Sequence, residues 1–207
     1  RSLSKAISQA VNDNSQSKLK ISSLLSLLAS FIVFVPTKKW LSLLSYAISS
    51  IQKPWRKAIF LDLFLHEIHK ALIKKYKVNF TTIFFNAGAH IQHHYFFNSG
   101  VLKNNDLENP SWYIQRQDDP LLDLLKIYDR IMGDYLENFK YEVIIATGLS
   151  QKPYNRVKFY YRLTNHEAFL QEIGIYCRSV IPRMTRDFLL VFDDNESTKN
   201  AEKVLNS

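Results

Sequence analysis

The chain has 207 residues, of which 46% are hydrophobic and 14% aromatic, so it can bury the core of one large domain or two small ones. This composition excludes disorder, collagen and coiled coil as descriptions of the whole chain. The single cysteine, Cys177, excludes an internal disulfide and a cysteine-cluster metal site. Five glycines and the absence of a glycine-rich phosphate loop argue against nucleotide-binding enzymes built on such loops. The formal net charge of +8 favours anionic partners.

The chain begins with Arg1 rather than methionine, which favours a piece of a longer protein. Its longest apolar run, Leu24–Val35, makes about 18 Å of helix, short of the roughly 30 Å of a bilayer core. The run therefore predicts a buried helix and no transmembrane segment. It also lacks the cleavage site of a secretory signal, so the predicted localisation is cytoplasmic.

The first 76 residues predict an all-helical region, with apolar stripes at helical spacing and a break at Pro36. Pro54 suits the first turn of a helix over Trp55–Tyr76. The pattern changes after this helix. We therefore predict three parts: a helical layer or cap over 1–76, an α/β core part over 77–152, and a C-terminal elaboration over 153–207.

Two β-branched and aromatic runs, Val78–Phe85 and Glu142–Thr147, predict parallel strands buried on both faces. Between them, a strong helix is predicted to begin at Asp119 and Pro120, with Asp119 as its N-cap. Strand, helical crossover and strand form a βαβ unit. The predicted fold class is α/β, a mostly parallel sheet flanked by helices, with an N-terminal helical region. Since ligands bind beyond the carboxyl ends of such strands, Asn86–His94 and Thr147–Gln151 are expected to meet at one edge.

The last third predicts a β-α-β-β-α order, interpreted either as a ferredoxin-like half-domain or as an elaboration of the main sheet. Asn165 is the predicted cap of the first helix and Gly174 its end. The predicted elements are a strand over Val157–Leu163, strands over Tyr176–Ile181 and Asp187–Phe192, and a final helix over Glu196–Leu205.

The segment with the most chemistry contains His90, His93 and His94. On a helix these histidines share an arc of about 100°, so two or three imidazoles could face one zinc or similar ion. The zinc-protease pattern is absent, because Ile91 stands where its glutamate would be. The alternative is a structural role, in which the histidines pack against aromatic rings and bond to backbone or water.

The run Asn86-Ala-Gly-Ala-His-Ile-Gln-His-His-Tyr95, placed after a predicted strand, resembles the mid-chain segment of the alkaline phosphatase superfamily, which contains sulfatases and type I phosphodiesterases. His93 matches a metal-binding histidine of that group, while Ala89 stands at an aspartate position. The helix from Asp119 to Asn138 resembles the one that precedes a metal-binding Asp-His-Gly, whose place Thr147 and Gly148 occupy. The similarity covers roughly residues 55–165.

The resemblance implies a fragment of a hydrolase acting on phosphate or sulfate esters that need not be active on its own. The predicted metal ligands are His93, which the resemblance matches, and His90 and His94, which share its helical arc. Zinc is the predicted cofactor, and an anionic small molecule or glycan ester is the predicted partner. The predicted substrate-binding residues are Asn86, Thr147 and Gln151. The alternative is a basic, non-catalytic module whose C-terminal unit binds nucleic acid or another polyanion, since Lys152, Arg156, Lys158 and Arg162 alternate with aromatic residues.

Overall fold

The structure is a computed structural model that describes residues 21–102, 107–148, 150–158, 161, 163–183 and 187–206. The described residues fall into two compact units, one over Ser30–Lys158 and one that combines 21–29 with the described residues after 158. The described chain is mostly helical. Its helices are α1 (Ile21–Phe34), α2 (Thr37–Ser49), α3 (Arg56–Tyr76), α4 (Ala87–Tyr95), α5 (Pro120–Asn138), α6 (His166–Glu172) and α7 (Asn195–Leu205).

Helices α3, α4 and α5 contact one another and form the core of the larger unit. The prediction of a helix after Pro54 is confirmed by α3, whose apolar residues recur at helical spacing. α3 ends at Lys77, which adopts a left-handed conformation with φ of 47° and donates its N–H to the Ile73 carbonyl. This arrangement is a common helix C-terminus, and it turns the chain sharply toward residues 78–86.

The prediction for α5 is also confirmed. Its N-cap is Asp119, whose carboxylate accepts a hydrogen bond from the Leu122 N–H at 2.9 Å. A continuous stripe then turns inward, and the buried members are Pro120, Leu121, Leu124, Ile127, Ile131 and Tyr135. These residues pack against α3 and α4. Tyr128 and Asp134 of α5 also contact polar side chains of α3.

The predicted fold class is wrong. Neither Val78–Phe85 nor Glu142–Thr147 forms a strand, and every residue of 142–147 is exposed. Phe80 is 83% exposed and Ile144 is 82% exposed. Within the described residues the only sheet is two-stranded and antiparallel, so there is no parallel sheet for the helices to flank. Apolar runs become buried strands only where neighbouring strands take up their N–H and C=O groups, and these two runs have none.

The C-terminal residues follow the predicted order from the first helix onward. Asn165 caps α6 by accepting from the Ala168 N–H at 3.0 Å, and Gly174, with φ of 77°, follows the end of α6. β1 (Ser179–Pro182) then pairs antiparallel with β2 (Phe188–Val191). The predicted strand over Val157–Leu163 is not seen at its described positions, and residues 159, 160 and 162 lie outside the described part.

A small core is formed by the C-terminal elements themselves. Leu170 of α6, Ile175 and Ala201 of α7 are buried together, and partly buried apolar side chains pack against them from both strands. Cys177 is among these neighbours and is a free thiol. The order α6, β1, β2, α7 therefore has an apolar core of its own.

The prediction that Leu24–Val35 is a buried helix is correct in its secondary structure and wrong in its burial. Residues 24–34 belong to α1, but the side chains of Leu25, Ile32 and Val33 are 60%, 64% and 72% exposed. Phe31 packs on Phe64 of α3 with ring centroids 5.9 Å apart. None of the helices in the described ranges is both long and apolar enough to cross a membrane.

Candidate functional site

Helix α4, which carries the histidine segment, is held by a carboxylate from another helix. Asp62 of α3 is 3% exposed, and its two oxygens accept from the backbone N–H groups of Asn86 at 3.3 Å and Ala87 at 3.0 Å. Tyr128 of α5 donates its hydroxyl to Asp62 at 2.7 Å and accepts from the Gly88 N–H at 3.1 Å. Asp62 thus supplies the negative charge that a helix N-terminus favours.

Burial raises the pKa of Asp62, while the hydrogen bonds from Tyr128, Ala87 and Asn86 act in the opposite direction. A buried carboxylate is tolerated only when its lone pairs are satisfied, and here three donors converge on it. Asn86, a predicted substrate-binding residue, contacts Asp62 through its backbone N–H. These contacts of Asp62 fix the orientation of α4 relative to α3 and α5.

The three histidines of α4 have different surroundings. His93 and His94 are exposed and His90 is half-buried. Burial, together with the charges of His94, His93 and Lys57, lowers the pKa of His90 to about 4, so the His90 imidazole is neutral at pH 7. The rings of His90 and His94 lie 4.7 Å apart, and Nδ1 of His94 is 2.9 Å from the Tyr113 hydroxyl.

One pair of predicted site residues is brought together. Nε2 of Gln151 lies 3.3 Å from Nε2 of His93, although the two residues are 58 positions apart. The expected meeting of the two segments is therefore seen for this pair, without the parallel strands that led us to expect it. Among the described contacts, none joins the side chains of Asn86 or Thr147 to the histidines, and Thr147 is exposed.

A second group of polar side chains, which we call the α3–α5 cluster, lies between α3 and α5 and consists of His66, Glu67, Lys70 and Asp134. His66 and Glu67 are 2% and 4% exposed. Nε2 of His66 is 2.8 Å from Oδ2 of Asp134, and the Lys70 ammonium donates to the same oxygen. Lys70 also donates to Oε1 of Glu67 at 3.3 Å.

The cluster has more acceptors than its donors satisfy. Burial lowers the pKa of His66, so its imidazole is neutral, and a carboxylate beside Nε2 makes that nitrogen the N–H donor. Nδ1 of His66 then carries a lone pair, and both this atom and Oε2 of Glu67 are buried without a hydrogen-bond partner. Burial raises the pKa of Asp134, but hydrogen bonds from Lys70 and His66 outweigh it and hold the pKa at about 2.

Three side chains of the cluster could hold a metal ion, because the ligand atoms of His66, Glu67 and Asp134 all lie within 4.8 Å of one another. Within the described residues this is the group of three that meets that distance, and the predicted ligands His90, His93 and His94 do not form another. The cluster was not predicted from the sequence. The signal was a His-Glu pair and a lysine on the apolar stripe of α3, beside an aspartate next to the stripe of α5.

The remaining histidines have structural contacts. Nδ1 of His69 lies 2.7 Å from the Tyr135 hydroxyl and its Nε2 lies 2.8 Å from Oγ1 of Thr81, so α3 holds the start of the exposed segment. Burial lowers the pKa of His69. His166 begins α6 and its ring packs edge-on against Phe188, with centroids 5.0 Å apart.

Comparison with known protein families, with curated proteins and with solved structures finds no match.

Proposed function

We propose that the larger unit binds a phosphate or sulfate ester at the exposed end of α4, as the ester-binding part of an alkaline phosphatase-like hydrolase. The observation that carries this proposal is the side-chain contact between His93 and Gln151 at 3.3 Å. It unites two segments that the sequence resemblance assigns to one site.

The chemistry of the pair suits a tetrahedral oxyanion. One N–H of the Gln151 amide faces Nε2 of His93, which leaves the second amide N–H and the Nδ1–H of the His93 ring as donors for an ester oxygen. Lys57 lies close enough to His90 for its positive charge to act on that ring. The same positive charge adds to the attraction for an anion. Both His93 and Lys57 are exposed, so a small ester can reach them.

The proposed activity of the chain alone is binding rather than turnover. In the histidine segment Ala89 replaces a carboxylate that the resembled enzymes use, and Thr147 and Gly148 replace an Asp-His pair. Two hard or borderline divalent cations require such carboxylates. Zinc stays the metal that we propose for this protein, bound by ligands outside the histidine segment.

The proposal is tested by titrating the chain with phenyl phosphate and phenyl sulfate while following the histidine ring signals by NMR. We expect His93→Ala and Gln151→Ala each to weaken binding roughly tenfold, the effect of losing about 1.4 kcal/mol. The matched controls are His166→Ala and Gln171→Ala, which lie in the C-terminal elements and should leave binding unchanged.

Two results would contradict the proposal. One is the absence of any ring-signal change at millimolar ester. The other is an equal loss in the control variants. Tight binding of a single-stranded oligonucleotide with a steep salt dependence, unaffected by His93→Ala, would instead support the basic binding module.

A further inference from the structure

We propose that the α3–α5 cluster is a binding site for one divalent transition-metal ion, zinc first, which takes the place of the Lys70 ammonium. This inference does not rest on the proposed ester site, which lies on other residues of α4 and on Gln151. The three ligands are His66, Glu67 and Asp134, supplied by two helices that are fixed by packing.

The hydrogen-bonding groups of the cluster are not balanced. Oε2 of Glu67 is a buried lone-pair donor without a partner, although the other oxygen of the same carboxylate accepts from Lys70. Buried polar atoms are nearly always paired with protein, water or an ion. What is absent from the network is therefore a Lewis acid or a hydrogen-bond donor, and a divalent cation supplies more than one coordination position at once.

The charges of the cluster are not balanced either. Counted formally, the carboxylates of Glu67 and Asp134 give −2 and the Lys70 ammonium gives +1. The buried cluster thus carries one uncompensated negative charge, which is costly in a region of low dielectric. A divalent ion in place of Lys70 brings the sum to zero. The lysine side chain is 11% exposed and long enough to carry its ammonium to solvent.

The types of ligand in the cluster and the distances between their atoms suit a transition-metal ion. One imidazole and two carboxylates are borderline and hard donors that suit zinc and neighbouring divalent ions. Ligands about 2.1 Å from a tetrahedral zinc lie roughly 3.4 Å from one another. The ligand atoms of the three side chains lie within 4.8 Å of one another, so a contraction of up to about 1.4 Å brings them to that spacing. The proposed ligand atom of His66 is Nε2, which lies 2.8 Å from Oδ2 of Asp134, and metal binding moves the ring proton to Nδ1. The fourth position is left for water or another donor atom.

The test measures Zn²⁺ content and affinity of the dialysed chain, together with the visible spectrum of its Co²⁺ form. We expect one equivalent of metal and a Co²⁺ ligand-field band. Glu67→Gln and Asp134→Asn each remove the charge of a direct ligand, so each should weaken binding by more than the roughly 10- to 100-fold that loss of an outer-shell partner costs. Their matched controls on the exposed face of α5 are Glu137→Gln and Asp129→Asn, which should bind as the unsubstituted chain does.

Lys70→Met separates a metal site from a closed ion-pair network. Because the ammonium competes with the metal, its removal should tighten Zn²⁺ binding roughly tenfold. His93→Gln, in the proposed ester site, should leave metal binding unchanged. Should a cluster variant fail to fold by circular dichroism, paramagnetic broadening by Co²⁺ in the unsubstituted chain decides the matter, because the His66 ring signals must broaden before those of His93.

The proposal is overturned if the chain takes up less than a stoichiometric amount of metal, or if Glu67→Gln and Asp134→Asn bind as tightly as their controls. It is equally overturned if Lys70→Met fails to gain affinity while folded, or if Co²⁺ broadens the α4 histidines and spares His66. The last result would return the metal to the ligands predicted from the sequence.

Discussion

Charged side chains occupy the interior between α3 and α5, whereas two apolar runs of the same unit lie at its surface. His66 and Glu67 are at most 4% exposed, while Phe80 and Ile144 are more than 80% exposed. A helix satisfies its own backbone, so it can carry polar side chains inward if these side chains find partners. A run outside helices needs neighbouring strands before it can enter a core. The contrast shows that burial follows available hydrogen-bond partners as well as hydropathy.

The largest expected effect compares two isoleucines, one in each region. Ile59 of α3 is fully buried and Ile144 is 82% exposed. Ile59→Ala should lower the free energy of unfolding by about 3 kcal/mol, because it loses buried apolar area and leaves a cavity. Ile144→Ala should change it by less than about 0.5 kcal/mol. Urea unfolding of both variants measures the difference, and similar losses would show that residues 142–147 are buried after all.

The next effect tests the carboxylate that holds α4. Asp62→Ala removes the acceptor of two backbone N–H groups and of the Tyr128 hydroxyl, so we expect a loss of about 2 kcal/mol. Asp129→Ala, at an exposed position of α5, is the control and should cost less than about 0.5 kcal/mol. The same urea experiment checks both, and equal behaviour would remove Asp62 from the account of how α4 is positioned.

Tyr128→Phe sharpens this test through pH. At pH 7 the loss of the hydroxyl should cost about 1 to 2 kcal/mol. Burial and the nearby Asp62 raise the pKa of Tyr128 above its usual value of 10, so the folded protein keeps this proton longer than the unfolded chain. The stability that the hydroxyl provides should therefore decline above pH 10, by about 1.4 kcal/mol per pH unit.

Chemical unfolding of both proteins between pH 8 and about pH 11 measures the decline, within the range in which the tyrosine reference value applies. The difference between the unsubstituted chain and Tyr128→Phe should shrink across the upper part of this range. A constant difference would mean that Tyr128 ionises equally in the folded and unfolded states, and thus that it is not buried against Asp62.

The smallest expected effect concerns the start of α5. Asp119→Ala removes the side-chain acceptor of the Leu122 N–H, and we expect a loss of about 1 kcal/mol. Asp119→Asn, which retains a side-chain oxygen acceptor, should recover most of it. Thermal melting of the two variants provides the measurement, and identical melting temperatures for Ala and Asn would show that the cap is unimportant.

The helices were predictable because their signals are local. Asp119 before Pro120 predicts the start of α5, and Asn165 and Gly174 predict both ends of α6, since capping depends on neighbouring residues in the sequence. The predictions of strands over Val78–Phe85 and Glu142–Thr147 were wrong, since a strand requires a partner that no local pattern supplies. Their unbroken apolar character is equally compatible with exposure.

Of the two candidate sites, residues of one were selected from the sequence and the other was not predicted. His93 and Gln151 were selected from the sequence because each follows an apolar run, and the structure brings their side chains together. The α3–α5 cluster depends on Asp134 lying opposite His66 across 68 positions. Helical periodicity predicts that each belongs near an apolar stripe, but the pairing of two helices in space is a tertiary property.

The central claim is that the larger unit has two separate ligand sites, an ester site at His93 and Gln151 and a metal site at His66, Glu67 and Asp134. The most direct measurement is a long-range proton–nitrogen NMR spectrum of the six histidine rings, recorded with phenyl phosphate alone and with Zn²⁺ alone. We predict that the ester shifts the His93 signals and spares His66, that zinc shifts the His66 signals and spares His93, and that free His66 is the Nε2–H tautomer. The claim would be contradicted if both ligands shifted the signals of the same rings, or if neither ligand shifted the signals of His93 or His66.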